Sequence, residues 1–419
     1  MIPIRNVDEI IRRQNMKMIS GGVCAPKGFK ASGVYCGIKN NPDKKELALI
    51  YSEVPGSSAA VYTTNLVKGA PITVTKANIS DGKAQAVICN SGNANTCNAD
   101  GVEIAEKTCK LVADELGINA KDIIIGSTGV IGQPLNITPI ANAIPKLVSL
   151  LSEDGSDSAA QAIMTTDTVK KEIALEFEID GVPCRIGAIG KGSGMIHPNL
   201  ATMLVFITSD CAIAPEMLLK ALSGDVENTF NMVSVDGDTS TNDTVAIISN
   251  GLAGNKMIDS EGEAFEIFMK ALNTVTVAIC RMIAGDGEGA TKLLECKVTG
   301  AADIATAKTV AKGVITSSLL KAAMFGADAN WGRVLCAIGY CGADVDVNKV
   351  NVTFESKAGS VFVCENGAGV PFSEEEAKKV LLEDEITIAV ELNSGNAEST
   401  AWGCDLTYDY VKINGDYRS

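Results

Sequence analysis

Apolar positions along the chain switch repeatedly between two spacings. In the first third, short runs rich in β-branched and small apolar residues read as strands: Leu47–Tyr51, Ala59–Thr63, Pro71–Val74 and Ala86–Cys89. Ile104, Leu111, Val112 and Leu116 then share one side of a 3.6-residue period, which predicts an amphipathic helix over Gly101–Leu116. Asp122–Gly126 reads as a short strand running into Ser127-Thr128-Gly129-Val130-Ile131-Gly132, followed by helices over Thr138–Leu151 and Ser156–Met164. Ile173–Ile179 alternates apolar and polar positions, and Val182–Ile189 is its expected hairpin partner across Asp180-Gly181. Helices are predicted over Pro215–Phe230, Glu261–Ile283 and Asp303–Phe325, and a further one over Ser373–Leu382, opened by Ser373 and three glutamates. Thr244–Ser249, Val350–Glu355, Val361–Cys364 and Ile386–Glu391 are strand candidates. Helices mixed with hairpin-like strand pairs predict an α/β (α+β) layered sandwich with mixed or antiparallel sheets. No Pro- or Ser-rich linker and no repeat divides the chain, so domain borders are soft, although 419 residues is a length prior for two or three domains at about 150 residues each.

Composition narrows the function classes. The formal charge of −15 repels phosphate backbones and the 5% aromatic content leaves little for bases to stack on, so nucleic acid is not an expected partner. A single histidine, His197, argues against a chymotrypsin-type triad and against a multi-histidine metal site. Thirteen cysteines without a Cys-x-x-Cys spacing, several inside apolar runs, read as reduced thiols of a cytoplasmic protein. The N-terminal residues show no apolar signal core. The uncharged stretch 123–145 is long enough to span a bilayer. Its prolines and glycines make it a strand, a Gly-rich loop and a helix instead, so no membrane is expected.

Three Gly-rich segments carry candidate chemistry. In Gly190-Lys191-Gly192-Ser193-Gly194-Met195-Ile196-His197-Pro198-Asn199-Leu200-Ala201-Thr202-Met203-Leu204, alternating glycines around one lysine suit either an anion nest or an irregular turn. The run lacks the spacing of a phosphate loop. Gly285, Gly287 and Ala290 match a dinucleotide fingerprint only formally, because a helix precedes them where a strand is required. A helix-terminal turn carrying a functional Glu288 is the better reading. Ser127–Gly132 follows a strand and offers a hydroxyl beside a glycine N–H, which suits an oxyanion hole or an ordinary strand-to-loop transition.

Together these segments resemble the glutamate N-acetyltransferases, also called ornithine acetyltransferases, of the cyclic arginine pathway. The resemblance spans essentially the whole chain: Cys89-Asn90-Ser91-Gly92-Asn93-Ala94-Asn95, Ser127–Gly132, Thr165-Thr166-Asp167, Lys191–Leu204, Gly285–Lys292, Asn330-Trp331-Gly332-Arg333 and Asn414 through Ser419. It implies self-cleavage between Ala201 and Thr202, giving an α fragment, 1–201, and a β fragment, 202–419. The two remain associated, commonly as a dimer of such pairs. Thr202 is then the N-terminal nucleophile that carries acetyl from N2-acetylornithine to glutamate. By motif, the Thr128 hydroxyl and the Gly129 N–H hold the oxyanion, and Thr165, Asn414 and Ser419 contact substrate. Charge assigns Lys191 to a substrate carboxylate and Glu288 to a substrate ammonium. A freed α-amine, with a pKa of about 7.7–8.0, is a far better base at neutral pH than a lysine, which gives the threonine hydroxyl the partner it needs. His197 reads as a turn residue, and Asn330–Arg333 as structural, assembly or catalytic. No cofactor and no metal are implied, and acetyl-CoA stays open as a second donor. The rivals are an N-terminal-nucleophile amidohydrolase or aminopeptidase that passes the acyl group to water, and an unprocessed binding protein for an amino-acid metabolite.

Overall fold

The computed structural model describes residues 16–39, 41–197 and 203–415. Ala201, Thr202 and Ser419, three of the residues singled out by motif, lie outside them. Two mixed sheets organise the chain. The larger has nine strands: β1 (Lys17–Ile19), β2 (Phe29–Val34), β3 (Leu47–Tyr62), β4 (Lys83–Asn93), β5 (Ile123–Val130), β6 (Lys171–Ile179), β7 (Val182–Lys191), β8 (Leu204–Ser209) and, after the short β9 (Val233–Ser234), β10 (Thr244–Ser249). Their spatial order is β1-β6-β7-β8-β10-β3-β4-β5, with β2 also on β3. The smaller sheet joins β9 to β11 (Leu293–Ala301), β12 (Asn351–Ser356), β13 (Gly359–Glu365), β14 (Ala368–Gly369), β15 (Glu385–Glu391) and β16 (Ala397–Cys404), in the order β14-β13-β12-β15-β11-β16-β9. The expected layered α/β class is what forms.

The helix Glu263–Gly285 lies between the sheets, packed on β6 and β7 on one side and on β11 and β16 on the other. By length and apolarity it is able to cross a membrane, but 67% of its apolar window is buried in the protein, which marks it as the core helix. β8 and β10 run parallel in the middle of the larger sheet, and every residue of both is buried. Val205, Ile207, Val245 and Ile247 face the inter-sheet core, while Leu204, Phe206, Ala246 and Ile248 face a second core under the helix Ser156–Ala162. Burial on both faces is why these strands read as continuous apolar runs rather than as alternation.

Several expectations are corrected. Pro71–Val74 is the first turn of a helix, Ala70–Asn78, because proline's fixed φ suits that turn and a four-residue apolar run has no readable period. Leu47–Tyr51 and Ala59–Thr63 belong to one long strand, β3. Its register against β4 shifts between Tyr51 and Gly56, where Pro55 interrupts the pattern. Asp303–Phe325 is two helices, Ile304–Thr316 and Ser318–Phe325; Ser317 turns extended between them, and its hydroxyl accepts from the Leu320 N–H. The Asp180-Gly181 hairpin forms as expected, with φ of 50° and 77°.

One buried charge gives a stability test. Asp225, on the helix Pro215–Val226, accepts hydrogen bonds from Asn273 Nδ2 (2.8 Å) and Thr229 Oγ1 (3.2 Å), and burial raises its pKa to about 6. A carboxyl raised by folding binds its proton more tightly in the native state. Its stabilising contribution is therefore complete below the ordinary carboxylate range and is lost as pH rises through about 6. Asp225→Asn is expected to stabilise the fold by roughly 2–3 kcal/mol at pH 8 and hardly at all at pH 4, read from denaturation at the two pH values. Equal gains at both would assign the effect to hydrogen bonding instead of charge.

Candidate active site

A cleft of about 150 Å³ opens where the ends of β5, β7 and the loop before β10 meet the turn after the core helix. β5 contributes Thr128 and Gly129, both half-buried. Gly129 has φ +129°, and a Cβ there would sit 2.3 Å from the Gly92 carbonyl carbon, so only glycine lets β5 close this tightly on β4. The Cys89–Asn95 segment supports that end. Asn90 Oδ1 accepts from Ser127 Oγ (2.6 Å), while Asn90 Nδ2 donates to the Asn93 carbonyl (2.9 Å).

Thr165 and Thr166 line the cleft just beyond the helix Ser156–Ala162, and Lys191, Gly194 and Met195 line it after β7. Lys191 is buried, and among the described residues its Nζ has no hydrogen-bonded partner. Behind it lies a charge triad. The wholly buried Lys171 Nζ is 2.7 Å from Asp167 Oδ1 and 2.6 Å from Asp286 Oδ2. Asp167 also accepts from the Gly192 N–H (2.8 Å) and the Thr165 N–H (3.0 Å). Burial opposes its charge, yet Lys171 and Lys191 hold its carboxyl well below the usual carboxylate range. One N–H of the expected anion nest is thus occupied from within the chain. Asp286 accepts from the Thr168 hydroxyl and N–H, and its carbonyl accepts from Ser193 Oγ (2.7 Å). These bonds fix the Gly-rich turn to the segment bearing Glu288, whose N–H in turn donates to the Ser193 carbonyl (3.0 Å).

Glu288 is buried at the cleft wall and accepts from Asn414 Nδ2 (2.7 Å) on the C-terminal helix Tyr408–Asn414. A Cβ on Gly194 would lie 2.3 Å from the Glu288 carboxyl carbon, so a larger residue there would displace the carboxylate from its present position. Glu288 follows a helix, which removes the dinucleotide fingerprint as a reading.

The structure therefore brings Thr128, Gly129, Thr165, Lys191, Glu288 and Asn414 to one cleft. The polar run Ser240-Thr241-Asn242, which sequence reasoning missed, completes it. Asn242 Nδ2 donates to the carbonyls of Ala94 (2.5 Å) and Ser127 (2.9 Å), and its Oδ1 accepts from Thr96 and Thr241 hydroxyls. Unbroken polarity from Asp238 to Thr244, immediately before an apolar strand, is the signal that could have found this loop. His197 stands nearby with Nδ1 3.1 Å from Ser234 Oγ, its pKa lowered by burial and by Lys312. Asn330 caps the helix Trp331–Tyr340 by accepting from the Arg333 N–H, and Arg333 Nη1 donates to the Leu319 carbonyl (2.5 Å), which is a structural role.

Comparison with known proteins gives the chain's relatives. A family model described as the ArgJ family matches residues 30–419. The arginine biosynthesis bifunctional protein ArgJ 1 of Clostridium acetobutylicum is 51% identical over 392 residues, covering 93% of this chain and 96% of that protein. The arginine biosynthesis bifunctional protein ArgJ of Caldanaerobacter subterraneus is 48% identical over 405 residues, covering 96% and 100%. A crystal structure of ornithine acetyltransferase complexed with ornithine, from Mycobacterium tuberculosis, is 36% identical with a TM-score of 0.42, covering 44% of this chain and 100% of that chain.

Proposed function

The chain belongs to the ArgJ family, and from that membership we propose that it is an arginine-biosynthesis acetyltransferase moving acetyl from N2-acetylornithine to glutamate through an acetyl group held on Thr202. The observation that carries the reading is the convergence of Thr128, Gly129, Thr165, Lys191, Glu288 and Asn414 on one cleft. Both substrates bear an α-carboxylate and an α-nitrogen, and fixed recognition belongs to that shared part. Lys191, a cation without a hydrogen-bonded partner among the described residues, is the group for the carboxylate. The side chains carry opposite charges. Glu288 favours the ornithine ammonium, and the Asn414 amide serves either. The membership sets aside the water-transferring hydrolase and the binding protein as readings of the site.

The nucleophile arises by self-cleavage between Ala201 and Thr202, giving fragments 1–201 and 202–419. Described residues on either side of that bond are held by backbone hydrogen bonds. The N–H groups of Met195 and Ile196 donate to Asp236 (2.7 and 2.9 Å), and the Met203 carbonyl accepts from the Thr244 N–H (2.9 Å). The cut enzyme works as a dimer of fragment pairs in the cytoplasm, a placement supported by thirteen free thiols. The word bifunctional in the relatives' names supports acetyl-CoA as a second donor; no metal or bound cofactor takes part. Mass spectrometry after incubation with N-acetylornithine tests the proposal: an acetyl group on the fragment beginning at Thr202 is expected, and an unmodified fragment with steady turnover would overturn it.

Charge recognition gives a second test. Glu288→Gln is expected to slow acetyl-enzyme formation from N-acetylornithine roughly tenfold or more, while discharge to glutamate changes little, because an unpaired buried ammonium costs a few kcal/mol. Measuring the half-reactions separately decides it; equal losses would give Glu288 a general electrostatic role.

A further inference from the structure

Three of the segments that wall the cleft meet behind it at Lys171, which does not itself line it. Lys171 opens β6 opposite Gly190 of β7, so its backbone is fixed in the larger sheet. Its ammonium is wholly buried and has three acceptors: Asp167 Oδ1 (2.7 Å), Asp286 Oδ2 (2.6 Å) and the Val169 carbonyl (3.4 Å). Three protons on three acceptors leave none for a ligand, so this cation holds its neighbours instead of binding substrate. Each carboxylate passes the constraint on. Asp167 accepts from the Thr165 N–H (3.0 Å) and from the N–H of Gly192 (2.8 Å), the residue after Lys191. Asp286 accepts from the Thr168 N–H (3.1 Å), its carbonyl accepts from Ser193 Oγ (2.7 Å), and Glu288 stands two residues further on. Lys191 and Glu288 thus sit at the ends of a short bonded path with Lys171 at its middle. Both ion-pair links in that path are buried charge-assisted bonds, shorter and stronger than neutral ones.

We propose that Lys171 is a positioning residue that sets the separation of Lys191 and Glu288, and through it the length of diamino acid the cleft accepts. The inference rests on the reading above, in which Lys191 meets the α-carboxylate and Glu288 the side-chain ammonium. Those two groups belong to one donor molecule and are separated by a fixed number of methylenes. A site that grips both ends measures the distance between them, and its selectivity is only as sharp as that distance is fixed. Glutamate carries no side-chain ammonium, so the gauge acts on the donor half-reaction alone.

Acetyl transfer from N2-acetylornithine and from N2-acetyl-lysine, one methylene longer, tests this in the full-length protein. One methylene is worth roughly ten- to a hundredfold in kcat/KM at a well-fitted site, and wild type is expected to prefer the shorter donor by that order. In Lys171→Met both rates are expected to fall and the preference to shrink to about threefold or less, because the two grips are no longer held at one spacing. Structural weakening alone would slow both donors by the same factor and leave their ratio where it was. Removing the cation between two buried carboxylates can also unfold the chain, so Thr168→Val is a second variant. It deletes the hydroxyl bond to Asp286 at an exposed residue and leaves every charge in place. Its preference is expected to drop in the same direction by a smaller factor. A wild type that does not distinguish the two donors overturns the inference, and so does a wild-type ratio retained by the variants that fold. A wild type that takes acetyl from neither donor removes the proposed function and this inference together; transfer with an unchanged ratio removes the inference alone.

Discussion

Replacing Thr202 by alanine is expected to leave a single 419-residue chain and to abolish acetyl transfer, the largest effect of any single substitution in this protein. The reason is that one side chain serves two reactions. In the proposed processing, Thr202 Oγ would attack the Ala201 carbonyl through a five-membered ring, the C–N bond would break, and water would open the resulting ester. In the proposed catalysis the same oxygen would take the acetyl group, helped by the amine that processing would release. About a tenth of such an amine is neutral at pH 7, far more than of a lysine, and this is the base a threonine hydroxyl otherwise lacks. Alanine removes the nucleophile from both steps. A denaturing gel and an acetylation assay on the purified variant check it; normal cleavage of Thr202→Ala would end the reading.

Thr128→Ala is expected to lower turnover about a hundredfold, some 3 kcal/mol, with a much smaller change in substrate binding. Thr128 lies near the end of β5 at the cleft, held in parallel register against Ser91 of β4 and backed by the buried Asn90–Ser127 and Asn242–Ser127 contacts. A donor so supported costs no reorganisation when charge develops on the acyl oxygen, which is why its loss falls on kcat. The variant must first be shown to be cut, because the proposed processing would pass through an oxyanion at a neighbouring carbonyl. If only KM moves, Thr128 recognises substrate instead of stabilising the oxyanion.

Strong local patterns made much of the fold legible. Gly101–Leu116 and Thr244–Ser249 form over the residues that periodicity and apolarity predict, and the Asp180-Gly181 hairpin follows from its turn residues. The failures have physical causes. Pro71–Val74 was too short for a period to distinguish helix from strand, and the break at Ser317 is a local cap inside an otherwise unbroken helical pattern. β16 escaped notice because Ala397–Thr400 is polar or small and half-exposed; its place is set by pairing with β11, which local sequence does not encode. At the site, motif resemblance picked out residues that touch the cleft, such as Lys191 and Glu288. It did not reveal Lys171 or Asp286, because their importance lies in a buried contact between residues 115 apart in sequence.

Cutting the chain at Ala201–Thr202 would divide the larger sheet through its middle: β7 belongs to one fragment, β8 and β10 to the other, and β3 to the first again. The break is therefore in the backbone and not in the hydrogen-bond ladder, and neither fragment is left with a closed surface of its own. Folding would have to come first and cutting second. The consequence is an asymmetry in time. The uncut chain refolds as a unimolecular event at any dilution, whereas the cut enzyme, once denatured, reassembles only by a second-order encounter of two pieces, each exposing an aggregation-prone strand edge. Such processing would make native structure a one-way inheritance from synthesis, with equal numbers of the two pieces guaranteed by their birth as one chain.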